Sequence, residues 1–389
     1  MADRWSCENL FPYWLLFSIF TAGTLEHGRR GLRATNRNFL LLIAGIFVAL
    51  MVGLRYRVGG DWGSYEEMFD LVRYSNLGQA IKLGDPGYSF LNWLAVTVGF
   101  EIWFVNLACA SIFTWGLLRF ARAQPDPWLA ILIAVPYLII VVAMGYTRQA
   151  VAIGFVLAGL AGLEGKSILR FSAYVLCALP FHKSAIIVLP LVALSASRNR
   201  MVTVGLLAVL MAALYYVFVS RSMDDLVTNY VESEYQSQGA MIRAVMSLPP
   251  ALLFLFLQKK FDLPEEQRKL WRNFSFAALA TVAILMVTSA SAAVDRLALY
   301  LIPLQMFVLS RMPQIFGHKG KRNGQLVLGV IAYSAIIQFT WLTRADNATY
   351  WLPYRVYPLF SPTEEYDLAG TGQVPAALMT TGGINPTRI

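Results

Sequence analysis

The sequence predicts an all-α membrane protein, a polytopic bundle of about 12 transmembrane helices. Hydrophobic residues make up 57% of the 389 residues, charged residues only 14%, and the mean hydropathy is +0.54. A soluble domain carries about 25% charged residues, because its surface must be hydrated. The apolar residues also fall into long runs, many of them close to the length of about 20 that crosses a bilayer.

The first apolar run, residues 10–25, is interpreted as a retained span. Mixed charges precede it and four arginines follow it, whereas a cleaved signal peptide begins with a basic segment. Tilt and crowding allow some spans to be shorter than others. The predicted spans are 9–26, 38–56, 102–120, 127–145, 146–163, 171–182, 183–197, 201–219, 241–257, 273–292, 296–311 and 325–343.

Residues 88–100 form an apolar run of about 13 residues, too short to cross the membrane, so we expect a re-entrant or interfacial segment there. With this choice, more than half of the 32 basic residues fall on one side, nearly all in short loops. Cytoplasmic loops are enriched in Lys and Arg, so that side is predicted to be cytoplasmic, with both termini outside. The net charge of +9 is then mainly a topology signal, and no nucleic-acid partner is expected.

The chain is predicted to form one transmembrane domain over residues 1–345, with a large outer loop at 57–87. Residues 346–389 are expected to be an outward-facing C-terminal tail. The tail is expected to be partly disordered, because it is rich in Gly, Thr and Pro from residue 361 onward. Three widely spaced cysteines give no pattern typical of a disulfide framework or a zinc site.

A second group of charged residues lies on the predicted outer side, where basic residues oppose the topology rule. Its cations are Arg55, Arg57, Arg148, Lys183 and Arg296. The planar fork of arginine binds phosphate oxygens with two hydrogen bonds, and lysine adds a point charge. Such a cluster suits a phosphorylated lipid headgroup. Structural alternatives are snorkelling anchors for Arg55 and Arg57, and an interhelical ion pair of Asp295 with Arg296.

Aromatic residues occur near these cations and could stack on sugars, although such residues are also ordinary in the membrane interface. Those predicted to contact a glycan are Trp62, Tyr65, Tyr88, Tyr300 and Tyr354.

Six short motifs follow one another between residues 55 and 355. They are Arg55-x-Arg57-Val-Gly-x-Asp61-x-x-x-Tyr65, Asp85-Pro86-Gly87-Tyr88-x-x-Leu91-Asn92, Arg148-Gln149-x-x-Ala152, Phe181-His182-Lys183-Ser184-Ala185, Asp295-Arg296-x-x-x-Tyr300 and Trp351-x-Pro353-Tyr354. In this order they resemble the EpsG family. Asp85 stands where that family often has Glu, which keeps the charge.

The resemblance implies a Wzy-like polysaccharide polymerase of the bacterial inner membrane, similar in role to the O-antigen ligase and polymerase superfamily. Such proteins act at the outer, periplasmic face on oligosaccharide repeat units carried by undecaprenyl diphosphate. They move the growing chain to the non-reducing end of a fresh unit. The carrier is part of the substrate, so no cofactor is expected. The expected partners are the bilayer, a flippase and a chain-length regulator.

The residues suit this chemistry. Charge that develops on the departing lipid diphosphate can be stabilised by the five outer cations without a metal, and we predict a metal-independent enzyme. The acceptor hydroxyl benefits from a general base. His182 is the first candidate because its unperturbed pKa is near neutrality, and Asp61 and Asp295 follow. Single displacement implies inversion at the anomeric carbon. His182 could instead cap a helix, and Asp61 could be a turn residue.

Three other functions remain open at this stage. A lipid-linked glycan flippase or other transporter would need charged residues at the membrane midplane or on both faces, and broken helices in related halves. A glycosyltransferase that uses polyprenyl-phosphate sugars usually has an acidic pair in its first outer loop and often a metal. A membrane acyltransferase would use a histidine base without a set of arginines.

Overall fold

The computed structural model describes residues 7–27, 34–163, 168–196, 240–287, 291–318 and 321–359. Helices account for 83% of it and these residues contain no strand, which confirms the all-α prediction.

Ten α-helices lie within the described part of the first half of the chain. They are α1 (Cys7–His27), α2 (Ala34–Gly53), α3 (Trp62–Arg73), α4 (Leu77–Ala80), α5 (Pro86–Val98), α6 (Ile102–Arg122), α7 (Pro127–Ala134), α8 (Thr147–Ala161), α9 (Ile168–Ala178) and α10 (Val188–Ala196). Helix α7 continues directly as a π-helix, Val135–Ala143, and a 3-10 turn, Lys183–Ile187, precedes α10.

The described residues of the second half of the chain form six α-helices. They are α11 (Ala240–Met246), α12 (Leu248–Leu257), α13 (Glu265–Val287), α14 (Ser291–Ala298), α15 (Ile302–Ile315) and α16 (Gly324–Arg344). Three 3-10 turns connect or extend them: Gln258–Phe261, Leu299–Leu301 and Asp346–Trp351.

Four helical stretches in the described ranges are long and apolar enough to cross a membrane: Ile102–Arg122, Arg243–Phe261, Glu265–Val287 and Gly324–Arg344. Shorter apolar helices occur at Asn38–Gly53, Pro127–Ala143, Thr147–Ala161 and Lys183–Ser195. Each of these overlaps a predicted span and supports a membrane protein. The predicted span 201–219 lies outside the described residues. The full number of spans and the side of each terminus stay predictions.

Several predicted spans are not continuous α-helices. The span at 127–145 changes from α to π geometry at Val135, next to Pro136. The span at 241–257 is divided between α11 and α12 by Ser247, just before Pro249 and Pro250. A proline has no amide hydrogen, so it cannot donate the helical hydrogen bond, and its ring crowds the preceding turn.

The core is centred on α7 and its π-helical continuation, where every residue from Trp128 to Ala143 is buried. A helix that is apolar on all sides needs protein contacts all round. Helices α1, α6, α8, α15 and α16 provide them.

Several predicted cytoplasmic arginines meet at one end of the bundle, called here the basic end. Arg322 lies 2.5 Å from Asp126 Oδ2 and donates to the Thr24 carbonyl at 2.6 Å. Arg311 donates to the side chain of Gln124. Helices α2, α8 and α16 place the predicted outer residues at the opposite end, called here the site end. The two charge groups are therefore separated along the helix axes, in agreement with the predicted topology.

The segment 57–87, predicted as an outer loop between spans, contains helices α3 and α4, and its place outside the membrane stays a prediction. Helix α3 buries Trp62, Tyr65, Phe69 and Val72, an amphipathic spacing of three and four residues. The 13 residues of α5 rise about 20 Å, less than the roughly 30 Å of a hydrocarbon core. Its length agrees with a segment that does not cross, and its interfacial position stays a prediction.

Residues 346–359 pack into the helical body, so the boundary expected at residue 345 does not separate them from it. Trp351 is 1% exposed, and its indole N–H donates to the Ile140 carbonyl at 2.8 Å. The amide of Tyr56 donates to Arg355 O at 2.9 Å, and the amide of Tyr357 donates to Leu54 O at 2.7 Å. The predicted disorder concerns residues 360–389, which lie outside the described residues.

Candidate functional site

Arg55 lies just after the end of α2 and holds the neighbouring backbone in place. It is 1% exposed, and its guanidinium donates to the carbonyls of Val52 at 2.5 Å and Val58 at 3.1 Å. A third bond, at 2.6 Å, reaches Thr147 Oγ1 at the start of α8. The last carbonyls of a helix lack partners within the helix, and Arg55 supplies one at the end of α2. The guanidinium of Arg55 therefore connects the end of α2 to the start of α8.

The Gly-rich turn between α2 and α3 fits closely against the π-helix and the C-terminal segment. Gly59 has φ +112°, and a Cβ there would lie 2.3 Å from the Met144 carbonyl oxygen. A Cβ at Gly145 would lie 2.4 Å from the Trp351 ring. Only glycine fits at these two positions. This contact fixes the positions of Asp61 and Arg148, which follow the two glycines along the chain.

Three cations approach the site from different helix ends. Arg148 is the second residue of α8, Lys183 begins the 3-10 turn, and Arg296 lies in α14. Gln149 donates to the Arg296 backbone carbonyl at 2.6 Å, which joins α8 to α14. The charges of all three cations act on the same neighbouring group, His182. We call Arg148, Lys183 and Arg296 the cation group.

Asp85 forms an ion pair with Arg148 at 2.9 Å. The guanidinium of Arg148 also lies 5.7 Å from the centre of the Tyr65 ring. The amide of Gly87 donates to the Pro180 carbonyl at 2.8 Å, which holds the start of α5 beside the His182 segment. Asp85 appeared in the sequence only as a motif residue. Its signal is an acidic residue before a helix that begins with Pro, within one of the six motifs.

His182 takes part in a short chain of hydrogen bonds. Its Nδ1 lies 2.5 Å from Ser184 Oγ, and Ser184 donates to the hydroxyl of Tyr300 at 3.2 Å. A serine hydroxyl has one hydrogen, which here goes to Tyr300, so Ser184 Oγ accepts from Nδ1–H. With this direction of the bonds, Nε2 carries the lone pair of the neutral imidazole. This is the nitrogen that can accept a proton.

The electrostatics of the site keep this imidazole neutral. Because α9 ends at Ala178, His182 lies in the connection before the 3-10 turn. Burial, with help from Arg296, Arg148 and Lys183, lowers the pKa of His182 to about 3. An anion bound among these cations would raise that pKa again, because it would offset their charge.

Two carboxyl groups share this environment. Burial raises the pKa of Asp61, while Arg296 and Arg148 oppose the shift. Burial also raises the pKa of Asp85, opposed by Arg148, Lys183 and Arg296. Arg148 and Arg296 therefore act on all three of these titratable groups, His182, Asp61 and Asp85.

Asp295 is held by a residue that sequence reasoning missed. Both of its carboxylate oxygens accept from Arg243 at 2.5 Å, and the two side chains are 11% and 10% exposed. The observed ion pair joins α11 to α14, where the sequence suggested a pair between Asp295 and Arg296. An arginine inside an apolar run, within the predicted span 241–257, was the available signal.

The remaining candidates are four tyrosines, described first, and the pair Trp62 and Arg57. Tyr65 and Tyr88 are buried with ring centres 5.3 Å apart, and Tyr300 belongs to the hydrogen-bond chain of His182. Tyr354 donates to the Met51 carbonyl at 2.6 Å, a contact that ties the C-terminal segment to α2.

Trp62 is buried with its ring 5.9 Å from that of Tyr56. Arg57 is exposed at φ +51°, with its guanidinium 5.5 Å from the same Tyr56 ring. Arg57 thus lies in the turn before α3 and Trp62 at the start of that helix.

These features define a class, a helical membrane protein with a cationic, histidine-containing site at one end of its bundle. The EpsG family model matches residues 38–356, which include every residue of the site. The chain therefore belongs to the EpsG family, a family of Wzy-like exopolysaccharide polymerases, and the resemblance of the six motifs is confirmed. No curated protein and no solved structure matches the chain.

Proposed function

We propose that this protein is a glycosyltransferase that polymerises lipid-linked oligosaccharide repeat units at the outer face of the bacterial inner membrane, with undecaprenyl diphosphate as the carrier. One observation carries the proposal. The charges of the cation group act on the imidazole of His182, whose Nδ1 is hydrogen-bonded to Ser184 Oγ. Anion binding and proton acceptance are therefore available side by side, as a reaction between a lipid diphosphate and a hydroxyl requires.

The cation group would act on the glycosyl donor, which is the growing glycan attached to its lipid diphosphate. The bond between the anomeric carbon and the diphosphate oxygen breaks, and negative charge develops on that oxygen. Arg148, which is half-buried and paired with Asp85, and the exposed Lys183 and Arg296 would stabilise such charge. Arg148 offers a planar fork for two phosphate oxygens, and Asp85 holds that fork in place until the substrate arrives.

His182 would act on the acceptor. The attacking sugar hydroxyl passes its proton to Nε2 as its oxygen bonds to the anomeric carbon. The imidazolium keeps its Nδ1–H bond to Ser184 and later releases the added proton to water. The products are a glycan longer by one unit and a free lipid diphosphate. A single displacement of this kind inverts the anomeric carbon.

The low pKa of His182 links the two halves of the reaction. A lowered pKa keeps the imidazole neutral at physiological pH and makes it a weaker base. A bound diphosphate offsets Arg296, Arg148 and Lys183, which raises the pKa of His182 toward its ordinary value. The base would thus become effective only when the donor is in place.

A reconstituted assay tests the proposal. Purified protein supplied with a lipid-linked repeat unit should produce a ladder of longer glycans, in the presence or absence of EDTA. Arg148→Ala and Arg296→Ala should abolish the ladder and leave single lipid-linked units, and His182→Ala should cut transfer severely. Arg73→Ala is the matched control, because Arg73 is a half-exposed arginine of α3 that pairs with Glu101 at 2.5 Å.

Normal ladders from both Arg148→Ala and Arg296→Ala would refute the proposed site. Movement of the lipid-linked unit across vesicles without any ladder would favour the flippase. Loss of activity on chelation, with rescue by Mg²⁺, would favour a glycosyltransferase that uses polyprenyl-phosphate sugars.

A further inference from the structure

Asp61 and Tyr146 each follow a glycine that packs against the same ring. A Cβ at Gly60 would lie 3.8 Å from the Trp351 ring, and a Cβ at Gly145 would lie 2.4 Å from it. The two side chains therefore begin from adjacent parts of the backbone. The carboxylate of Asp61 and the hydroxyl of Tyr146 are also close enough to interact electrostatically.

The carboxylate of Asp61 has no hydrogen-bond or ion-pair partner among the described residues. Asp61 directly precedes α3, where an aspartate usually accepts a hydrogen bond from a backbone amide of the helix, yet it makes no such bond. Its backbone angles, φ −92° and ψ 10°, are not the extended ones of a capping residue. The nearby Arg148 pairs with Asp85 instead. An acidic residue at a helix start also complements the helix dipole, so its position alone does not indicate a ligand.

Tyr146 supplies a second, independent observation. Every residue in the range 128–154 is buried except Tyr146 and Arg148. The ring of Tyr146 packs against the core, whereas its hydroxyl forms no hydrogen bond within the described part of the chain. Arg296 interacts electrostatically with both Tyr146 and Asp61. An otherwise buried stretch thus presents one cation and one phenol to the site.

These two groups suit the hydroxyls of a sugar. A carboxylate can accept hydrogen bonds from two adjacent hydroxyls, and a phenol can both donate and accept. Phosphate oxygens are negatively charged acceptors, so Asp61 repels them, whereas Arg148 and Arg296 attract them. The ligand that fits both sets of residues is a sugar joined directly to a phosphate, with the sugar beside Asp61 and Tyr146.

We propose that Asp61 and Tyr146 form a subsite that binds the hydroxyl groups of the sugar bonded to the lipid diphosphate. This inference rests on the proposed function, because it names the donor sugar of the same site. It gives Asp61 a role in sugar binding rather than that of a general base. A sugar held in this way keeps its anomeric carbon beside the departing diphosphate, so the attacking hydroxyl meets it in one orientation.

Binding by the purified full-length protein tests the subsite, with undecaprenyl diphosphate and the same lipid carrying one hexose as the two ligands. Wild type should bind the hexose lipid about tenfold more tightly, because a charged acceptor gives a strong hydrogen bond. Asp61→Ala should lose this preference and keep its affinity for the bare lipid. Tyr146→Phe lacks only the hydroxyl and should reduce the preference about threefold. Glu67→Ala removes an exposed carboxylate of α3, and this matched control should keep the preference.

A purely structural role for Asp61 gives a different result. Serine caps a helix about as well as aspartate, so Asp61→Ser retains any capping and should still lose the preference for the hexose lipid. An unchanged preference in Asp61→Ser would overturn the subsite. An equal loss of affinity for both lipids would also overturn it, because that result indicates a change in packing. In either case, glycan ladders from the wild type would leave the proposed function intact, whereas a wild type that binds neither lipid would refute both.

Discussion

The contrast between His182 and Asp295 shows what decides the role of a single residue. Both were candidate bases, because both are polar groups beside apolar runs. His182 has one ring nitrogen bonded to Ser184, whereas Asp295 has both oxygens bonded to Arg243. Ser184 is a near neighbour of His182 in the chain, whereas Arg243 is 52 positions from Asp295, and Tyr300, which completes the His182 network, is 116 positions from Ser184. A single sequence identifies a titratable residue but does not reveal which distant residue bonds to it.

Ser184 gives the first prediction. Ser184→Ala should lower the turnover rate of polymerisation about tenfold, because the imidazole loses the hydrogen bond that sets its tautomer. Ser184→Thr keeps the hydroxyl and should retain most of the activity. The measurement is the rate of ladder formation with purified protein, together with its melting temperature. Equal loss in both variants, with a lowered melting temperature, would indicate a role in packing only.

Lys183 gives a prediction about pH. The imidazole must be neutral to accept a proton, so activity falls as the pH drops through the pKa of His182. Lys183→Met removes one of the charges that lower this pKa, so the acidic limb of kcat/KM should move to higher pH. Lys82→Met, which removes an exposed lysine of the same outer region, is the control and should not move the limb.

The wild-type protein provides an internal comparison. Its acidic limb in kcat should lie at higher pH than that in kcat/KM, because kcat reports the complex in which the diphosphate offsets the cation group. Coincident limbs would contradict activation of the base by the donor.

At the scale of elements, helix ends rather than helix lengths build the site. The end of α2, the start of α8 and the 3-10 turn before α10 carry Arg55, Arg148 and Lys183. The π-helix after α7 adds a carbonyl, that of Ile140, which receives the Trp351 indole hydrogen. Interruptions of this kind frequently occur at functional sites. Hydropathy predicts where an apolar segment runs and carries no information on these local changes in hydrogen bonding.

The ion pair between α11 and α14 gives a prediction for the two elements. Arg243→Met should destabilise the protein by about 3 kcal/mol, because it leaves Asp295 buried without its partner. The double variant Arg243→Met/Asp295→Leu removes both charges and should recover much of the melting temperature. Ladder formation by this double variant would place Asp295 among the structural residues. A folded but inactive double variant would instead support Asp295 as the base.

At the scale of the whole molecule, charge is divided between the two ends of the bundle. Arg311 and Arg322 form contacts at the basic end, and the cation group lies at the site end. A basic group that opposes the topology rule requires another reason for its presence, and anion binding provides one.

The predicted orientation can be measured by cysteine labelling in intact cells. In a variant without native cysteines, a cysteine at Lys82 should react with a membrane-impermeant maleimide. A cysteine at His318, near the basic end, should react only after the membrane is opened. The reverse pattern would invert the topology and place the candidate site on the cytoplasmic side.

The sequence by itself determined the class of fold, the alternation of charge along the chain and the six motifs of the EpsG family. These are local or compositional properties. A bilayer requires long apolar runs, and a charged residue within or beside such a run is easy to recognise. It also brought forward His182, Arg148 and Arg296, the charged residues whose positions are hardest to explain by topology.

Only the tertiary structure decided which charges serve the site and which serve the fold. Arg55, found with the other outer cations, bonds to internal carbonyls, and Arg148 gains a partner in Asp85. Residues 346–359, expected in the tail, hold the site end together through Trp351 and Tyr354. The physical reason is that a buried charge or hydroxyl must find a partner, and that partner is chosen by packing across long separations in the chain.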